Sequence, residues 1–226
     1  MKKISIILPI FNEENNLKNV FDQLIAMKSK IKSVEFEIIA IDDGSTDQSL
    51  QILQNYRIKI IHHSIQRGYG AALKTGIKNA KFDNIATLDA DGTYPPTELL
   101  KLLKFYNKDL IIGVRRTYFS LIRHFFNKFL AIFASFIFCK WISDLNSGMR
   151  IFKKSILNRL NYFKWTDGFS FSTTMTLSVL TRNFSIKTVP IYCQSRCEKS
   201  KVKIVRLGMT ILKMIFHYFK RKYKPL

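Results

Sequence analysis

Short apolar runs alternate along the chain with longer segments in which apolar residues recur every three or four positions. That alternation predicts strands and helices in turn. Ile4-Ser-Ile-Ile-Leu-Pro9 reads as a buried first strand, ended by Pro9. After Phe11-Asn-Glu-Glu-Asn15, the positions Leu17, Val20, Phe21, Leu24 and Ile25 mark a helix with one apolar face, capped by Asn12 or Asn15. A second strand, Phe36–Ile41, runs into Asp42-Asp43-Gly44-Ser45-Thr46-Asp47. Gly44 permits a tight turn there, and Ser45, Thr46 or Asp47 can cap a helix carrying Leu50, Ile52 and Leu53. A third strand, Ile58–His62, leads through Arg67-Gly-Tyr-Gly70 to a helix over Ala71–Ala80. The fourth strand starts at Ile85 and ends at Asp89. A helix around Glu98–Tyr106 and a strand over Asp109–Gly113 follow.

Strands alternating with helices across short turns predict an α/β fold, with a mostly parallel sheet and helices on both faces. Ligands of such sheets bind outside the carboxyl ends of the strands. Two of those ends are acidic here, at residues 42–43 and 89–91.

The second half is patterned differently. Arg115, Arg116, Arg123, His124 and Lys128 punctuate an aromatic and aliphatic stretch. It reads as an amphipathic helix at a membrane interface or as a core helix with solvated charges. Its longest uncharged run, Phe129–Cys139, spans about 16 Å as a helix, half of a ~30 Å hydrocarbon core, so no membrane-spanning helix is expected. Near the end, Lys199, Lys203, Arg206, Lys213, Lys220 and Lys224 define a basic helix face, while Ile204, Gly208, Ile211, Leu212, Ile215 and Phe219 form an apolar stripe. This predicts a C-terminal basic amphipathic helix within 199–226 that lies on an anionic membrane surface or docks on the protein's own core.

Composition sharpens this division. The chain has 226 residues, 47% apolar, which fits one folded domain and excludes disorder. The net charge of +21 is uneven: residues 1–113 hold 15 basic and 13 acidic side chains, and residues 114–226 hold 22 and 3. The second half is built to face anions. Three segments are expected within the one domain: 1–113, near-neutral and carrying the acidic strand ends; 114–198, basic and facing anions; and 199–226, the basic amphipathic helix. Cys139, Cys193 and Cys197 form no metal-ligand pattern and read as reduced thiols of a cytoplasmic protein. The N-terminus runs directly into a strand without a signal-peptide pattern.

The candidate chemistry centres on Leu88-Asp-Ala-Asp-Gly-Thr-Tyr-Pro-Pro96. Residues i and i+2 of a strand point the same way, so Asp89 and Asp91 would repel each other without a cation between them. Such oxygen ligands suit Mg2+ or Mn2+, which keep waters and share substrate phosphates. Gly68 and Gly70 resemble part of a phosphate-binding turn, but Leu73 stands where a third small residue belongs, and a plain turn is the simpler reading. A basic nucleic-acid-binding protein is the reading from another class. It leaves the acidic strand ends unexplained, so no nucleic-acid partner is expected.

Taken together, these motifs resemble the inverting, nucleotide-sugar-dependent glycosyltransferases of family 2, which have the Rossmann-like GT-A fold. The nearest branch is the polyprenyl-phosphate sugar transferases, typified by dolichol-phosphate mannosyltransferase. The resemblance is carried by Leu8-Pro-Ile-Phe-Asn-Glu-Glu14, Ile41–Asp47, Arg67–Leu73 and Leu88–Pro96, then by Ile112–Arg116, Asn127, Asp144-Leu-Asn-Ser-Gly-Met-Arg150, Val189-Pro190 and Ser200-Lys201. It implies that Pro9, Phe11 and Glu13 line a nucleotide pocket and that Asp42 or Asp43 contacts base or ribose. It further implies that the Asp89-Ala90-Asp91 segment holds metal and diphosphate, and that the basic residues after the fifth strand meet the acceptor phosphate. Thr93 stands where relatives often carry a metal-ligating Gln, and its hydroxyl can serve instead.

Transfer from a nucleotide diphosphate needs charge stabilisation of the leaving group, which a divalent ion supplies. An acceptor hydroxyl also needs a general base, whereas an acceptor phosphate needs only cations. The second half offers only Asp144, Asp167 and Glu198 as bases, and the Gln-x-x-Arg-Trp segment of polysaccharide-elongating relatives is absent. The expected acceptor is therefore polyprenyl phosphate, bound by Arg115 with Arg116 or Lys201, at the cytoplasmic face of a membrane. Arg115 and Asp91 are the expected catalytic residues. Transfer to a sugar hydroxyl in envelope polysaccharide or glycolipid synthesis is the alternative.

Overall fold

The computed structural model describes residues 1–116, 121–182, 184–194 and 204–223. The first half forms β1 (Lys2–Ile10), α1 (Glu14–Lys30), β2 (Val34–Asp42), α2 (Ser49–Gln54), β3 (Lys59–His62), α3 (Tyr69–Asn79), β4 (Asn84–Thr87), α4 (Leu99–Leu103) and β5 (Leu110–Arg115). Then come α5 (Leu121–Phe138), β6 (Arg150–Lys153), α6 (Lys154–Arg159), α7 (Phe171–Leu180), β7 (Ile186–Ile191) and α8 (Ile204–Tyr223). The strands form one sheet in the order β3-β2-β1-β4-β6-β5-β7. Alternation along β1 divides the core. Ile4, Ile6, Leu8 and Ile10 join a cluster with α1 and α4, and Ile7 joins one with α3, α6 and α7. Helices therefore cover both faces, as the alternation predicts.

Several local expectations are corrected. The sheet is parallel except for β6, which runs antiparallel to both β4 and β5. Its sequence, Arg-Ile-Phe-Lys, begins and ends in charge and hides the strand, yet Arg150 is fully buried. Because β6 lies between β4 and β5, the second half of the chain completes the sheet of the first. The fourth strand ends at Thr87 rather than Asp89. Leu88 still donates its N–H to the Ile7 carbonyl, so the two acids belong to the turn that follows. Neither Asn12 nor Asn15 caps α1. The loop after β2 and the first residue of α2 do so, with Ser49 Oγ accepting the Glu13 N–H at 2.9 Å and Asp47 Oδ2 accepting that of Glu14 at 3.1 Å. Asp47 also caps α2, through Oδ1 and the Ser49 N–H at 2.9 Å.

The C-terminal helix turns Ile211 and Ile215 of its apolar stripe inward, while Phe219 of the same stripe stays exposed. Ile211 and Ile215 are buried in a third cluster with Leu130 and Ala134 of α5 and Leu177 and Leu180 of α7. Every residue of α7 is buried, its three threonines and two serines included, so the outer side of α7 is covered as well as its inner side. Lys199, Lys203 and Lys224 lie outside the described residues.

Candidate active site

The parallel strands bring Pro9 to Phe11, Asp42 and Asp43, the turn after β4, and Arg115 to one edge of the sheet. The antiparallel β6 begins at that same edge, with Arg150 in register with Thr87 and Ile112. The loop from Asp144 to Gly148 therefore enters the space between the β4 turn and the end of β5.

Asp89 is held from two sides. Tyr69, the first residue of α3, donates its hydroxyl to Asp89 Oδ1 at 2.9 Å. Burial, then the Asp89 charge, raises the Tyr69 phenol well above its ordinary value, so it stays a proton donor. On the other side the backbone of Gly148 lies against the carboxylate, and a Cβ there would fall 1.9 Å from Asp89 Oδ2. The Gly148 peptide is fixed in turn. Its N–H donates to the Tyr94 hydroxyl at 3.1 Å and its carbonyl accepts from Thr87 Oγ1 at 2.7 Å. Asp91 closes its own turn by accepting the Thr93 N–H at 3.0 Å, and the Thr93 carbonyl accepts from Gln194. Ala90, between the two acids, is buried in the core.

Arg115 meets Asp144 with both arms, Nε at 2.7 Å and Nη2 at 2.9 Å. Burial pushes the Asp144 carboxyl up, but the Arg115 charge and hydrogen bonds outweigh it and hold the group below its ordinary value. Beneath this pair, buried Arg150 donates to the carbonyls of Leu145, Ser147 and Ser172 and to Thr176 Oγ1. Burial lowers its pKa to about 10. Asn146 links the loop outward, donating from Nδ2 to Asn127 of α5 at 3.2 Å. Arg116 is exposed, and Lys201 lies outside the described residues.

The two acids at the end of β2 have different partners. Asp43 accepts the N–H groups of Arg67 at 3.0 Å and Gly68 at 2.7 Å and pairs with His63 at 2.7 Å, so it builds the approach to α3. Asp42 pairs with His62 at 2.7 Å, and its buried Oδ1 has no hydrogen-bond partner among the described residues. Glu13 is buried and accepts from Asn16 Nδ2 at 3.0 Å. Pro9 and Phe11 are half-buried at the end of β1. The Gly68-x-Gly70 turn offers no phosphate cradle, because the Asp167 carbonyl already accepts the N–H groups of Gly70 and Ala71. A Cβ on Gly70 would lie 2.4 Å from the Thr166 carbonyl oxygen. That turn is a docking point for the loop before α7, and Lys74 secures it through Asp167 at 2.8 Å.

The donor set fits a divalent cation of the magnesium class. No group of three or more His, Cys, Asp or Glu side chains forms a closed metal cage among the described residues. Two carboxylates of one turn match an ion that takes its remaining ligands from phosphate and water. Sequence reasoning found these carboxylates but missed Tyr69, Gly148 and Arg150. Tyr69 stands inside the Arg67–Leu73 segment and the other two inside Asp144–Arg150, so the motifs carry them although their spacing gives them no role.

The profile of Glycosyl transferase family 2 matches residues 5–161, and the chain belongs to that family. The fold is GT-A. Its solved likenesses include glucosyl-3-phosphoglycerate synthase from Mycobacterium tuberculosis in complex with Mn2+, UDP and phosphoglyceric acid. The TM-score is 0.75 at 18% identity, covering 100% of this chain and 80% of that one. Among curated relatives, an undecaprenyl-phosphate 4-deoxy-4-formamido-L-arabinose transferase of Photorhabdus laumondii is 35% identical over 126 residues, 51% of this chain and 38% of that protein. A dolichol-phosphate mannosyltransferase of Pyrococcus furiosus is 30% identical over 119 residues, 50% of this chain and 33% of that one. The chain thus spans little more than a third of the length of these relatives. An uncharacterized protein of Methanocaldococcus jannaschii matches more fully, at 27% identity over 84% of this chain and 80% of its own.

Proposed function

We propose that this protein transfers a sugar, with inversion, from a nucleotide-diphosphate sugar to a polyprenyl phosphate at the cytoplasmic face of a membrane. One observation carries the reading. The loop from Asp144 to Gly148 touches both halves of the reaction, with Gly148 against Asp89 and Asp144 on Arg115. In this reading Asp89 and Asp91, with Thr93 beside them, hold Mg2+ or Mn2+, which when bound neutralises the leaving diphosphate. Asp42, Pro9, Phe11 and Glu13 bound the nucleoside side. Arg115, oriented by Asp144, presents cationic charge to the acceptor phosphate, and Arg116 and Lys201 add to it.

The bases available to a hydroxyl acceptor support the same choice. Asp144 is buried, depressed in pKa and engaged by Arg115, and Asp167 is paired with Lys74. Neither suits a general base near neutral pH; Glu198, the third candidate, lies outside the described residues. A phosphate oxygen needs none.

The outer face of α5 supports a membrane-bound acceptor. Phe125, Phe129, Ile132 and Phe136 form one exposed stripe, with Phe125 at 80% and Phe136 at 83% exposure, and exposed Trp141 follows. Met209, Phe216 and Phe219 of α8 are also exposed, and Lys128, Lys213 and Lys220 lie on the same two helices. Aromatics beside cations suit the headgroup boundary of an anionic bilayer. No helix among the described residues is long and apolar enough to cross a membrane. Purified protein incubated with a panel of nucleotide sugars and undecaprenyl phosphate tests the proposal. Transfer from one donor, dependent on the lipid phosphate and on Mg2+ or Mn2+, is expected. Sugar transfer that proceeds equally without the lipid contradicts it.

A further inference from the structure

The metal-site reading leaves Tyr69 without a role, although its hydroxyl touches one of the two carboxylates. Tyr69 begins α3 and is anchored on each side in sequence. Asp43 fixes the Arg67 and Gly68 amides before it, and the Asp167 carbonyl fixes those of Gly70 and Ala71 after it. Its ring stacks on Phe169, with centroids 5.7 Å apart and planes at 22°. The phenol therefore approaches Asp89 from a fixed direction. Opposite it, Gly148 lacks the Cβ that would strike Asp89 Oδ2 and Oδ1, at 1.9 and 2.6 Å. One oxygen of the carboxylate accepts a hydrogen bond while the group as a whole rests against backbone.

We propose that Tyr69 is a positioning residue. With the bare Cα of Gly148, it sets the rotation of the Asp89 carboxylate for the divalent ion, and it ties that setting to Asp43 through the 67–69 segment. This rests on the reading that Asp89 and Asp91 hold the ion. Partners of ligating carboxylates orient the ligand, and their removal costs about 10–100-fold in metal affinity. The arrangement also links the two acidic strand ends by a chain of contacts, so the nucleoside side and the metal side share one rigid part.

Binding of Mn2+ alone, followed by the EPR signal of the free ion, provides a test independent of turnover. Y69F keeps the ring and its stacking and loses only the hydroxyl. Its Mn2+ dissociation constant should rise about tenfold or more, with the thermal midpoint measured without metal close to wild type. In a D89N background the same substitution should have no further effect, because Tyr69 acts through Asp89. A Y69F protein that binds Mn2+ as wild type does, or an equal Y69F effect with and without Asp89, overturns the inference. G148A carries the test if Y69F does not fold: its added Cβ should displace Asp89 and weaken Mn2+ binding similarly, and wild-type affinity in G148A overturns the clamp. D91N separates the premise from the inference. Wild-type Mn2+ affinity in D91N removes the metal-site reading itself, whereas loss in D91N with none in Y69F removes only the role of Tyr69.

Discussion

Arg115 and Asp144 form a bidentate pair whose carboxylate is fully buried and whose guanidinium side chain is only 20% exposed. Removing one member of such a pair strands a desolvated charge. D144A should therefore lose about 3–5 kcal/mol of stability, read as a lower urea midpoint. The same pair sets an acid dependence. Asp144 has a depressed folded pKa, so its contribution is complete above the unfolded carboxyl value of about 3.9 and disappears as pH falls through the folded value. The stability gap between wild type and D144N should be constant near neutrality and shrink below about pH 4. A gap that stays constant into acid contradicts the pairing.

D91A should reduce sugar transfer on the order of 100-fold or more, the scale for removing one electrostatic stabiliser of a transition state. Its thermal midpoint should change little. Asp91 is half-exposed, and its hydrogen bond to the Thr93 amide is local to one turn. Activity that survives both this substitution and EDTA shows that the carboxylates do not work through a metal.

Legibility followed periodicity. The β1–β5 frame was readable because Ile and Leu runs separated by amphipathic helices leave few alternatives. The acids at 42–43 and 89–91 were readable as candidates because they interrupt apolar runs at one edge of the sheet. What escaped depends on tertiary partners. Arg150 looks like a surface residue until three carbonyls and Thr176 surround it. The inward turn of α8 depends on α7 needing cover, which the α8 sequence alone cannot express. Asp42 and Asp43 are adjacent and chemically identical, and they part only because alternation sends one to His62 and the other to His63.

Membrane attachment should follow the exposed stripe of α5 rather than the buried stripe of α8. Replacing Phe125, Phe129 and Phe136 together with Ser should leave the fold intact, since exposed substitutions cost within about 0.5 kcal/mol each. Co-sedimentation with anionic vesicles should fall sharply. Added salt should weaken wild-type binding, because each basic residue contributes about 1 kcal/mol near an anionic surface and that term is screened. Unchanged co-sedimentation of the triple variant places the contact elsewhere on the chain.

The central claim is that a phosphate is the nucleophile. It is tested most directly by 31P NMR of undecaprenyl phosphate incubated with the protein, the active nucleotide sugar and Mg2+. The account predicts that the lipid phosphomonoester signal converts to that of a phosphodiester in step with release of nucleoside diphosphate, with inverted configuration at the transferred sugar's anomeric carbon. A lipid phosphomonoester left unchanged while the sugar appears on a hydroxyl group would contradict it.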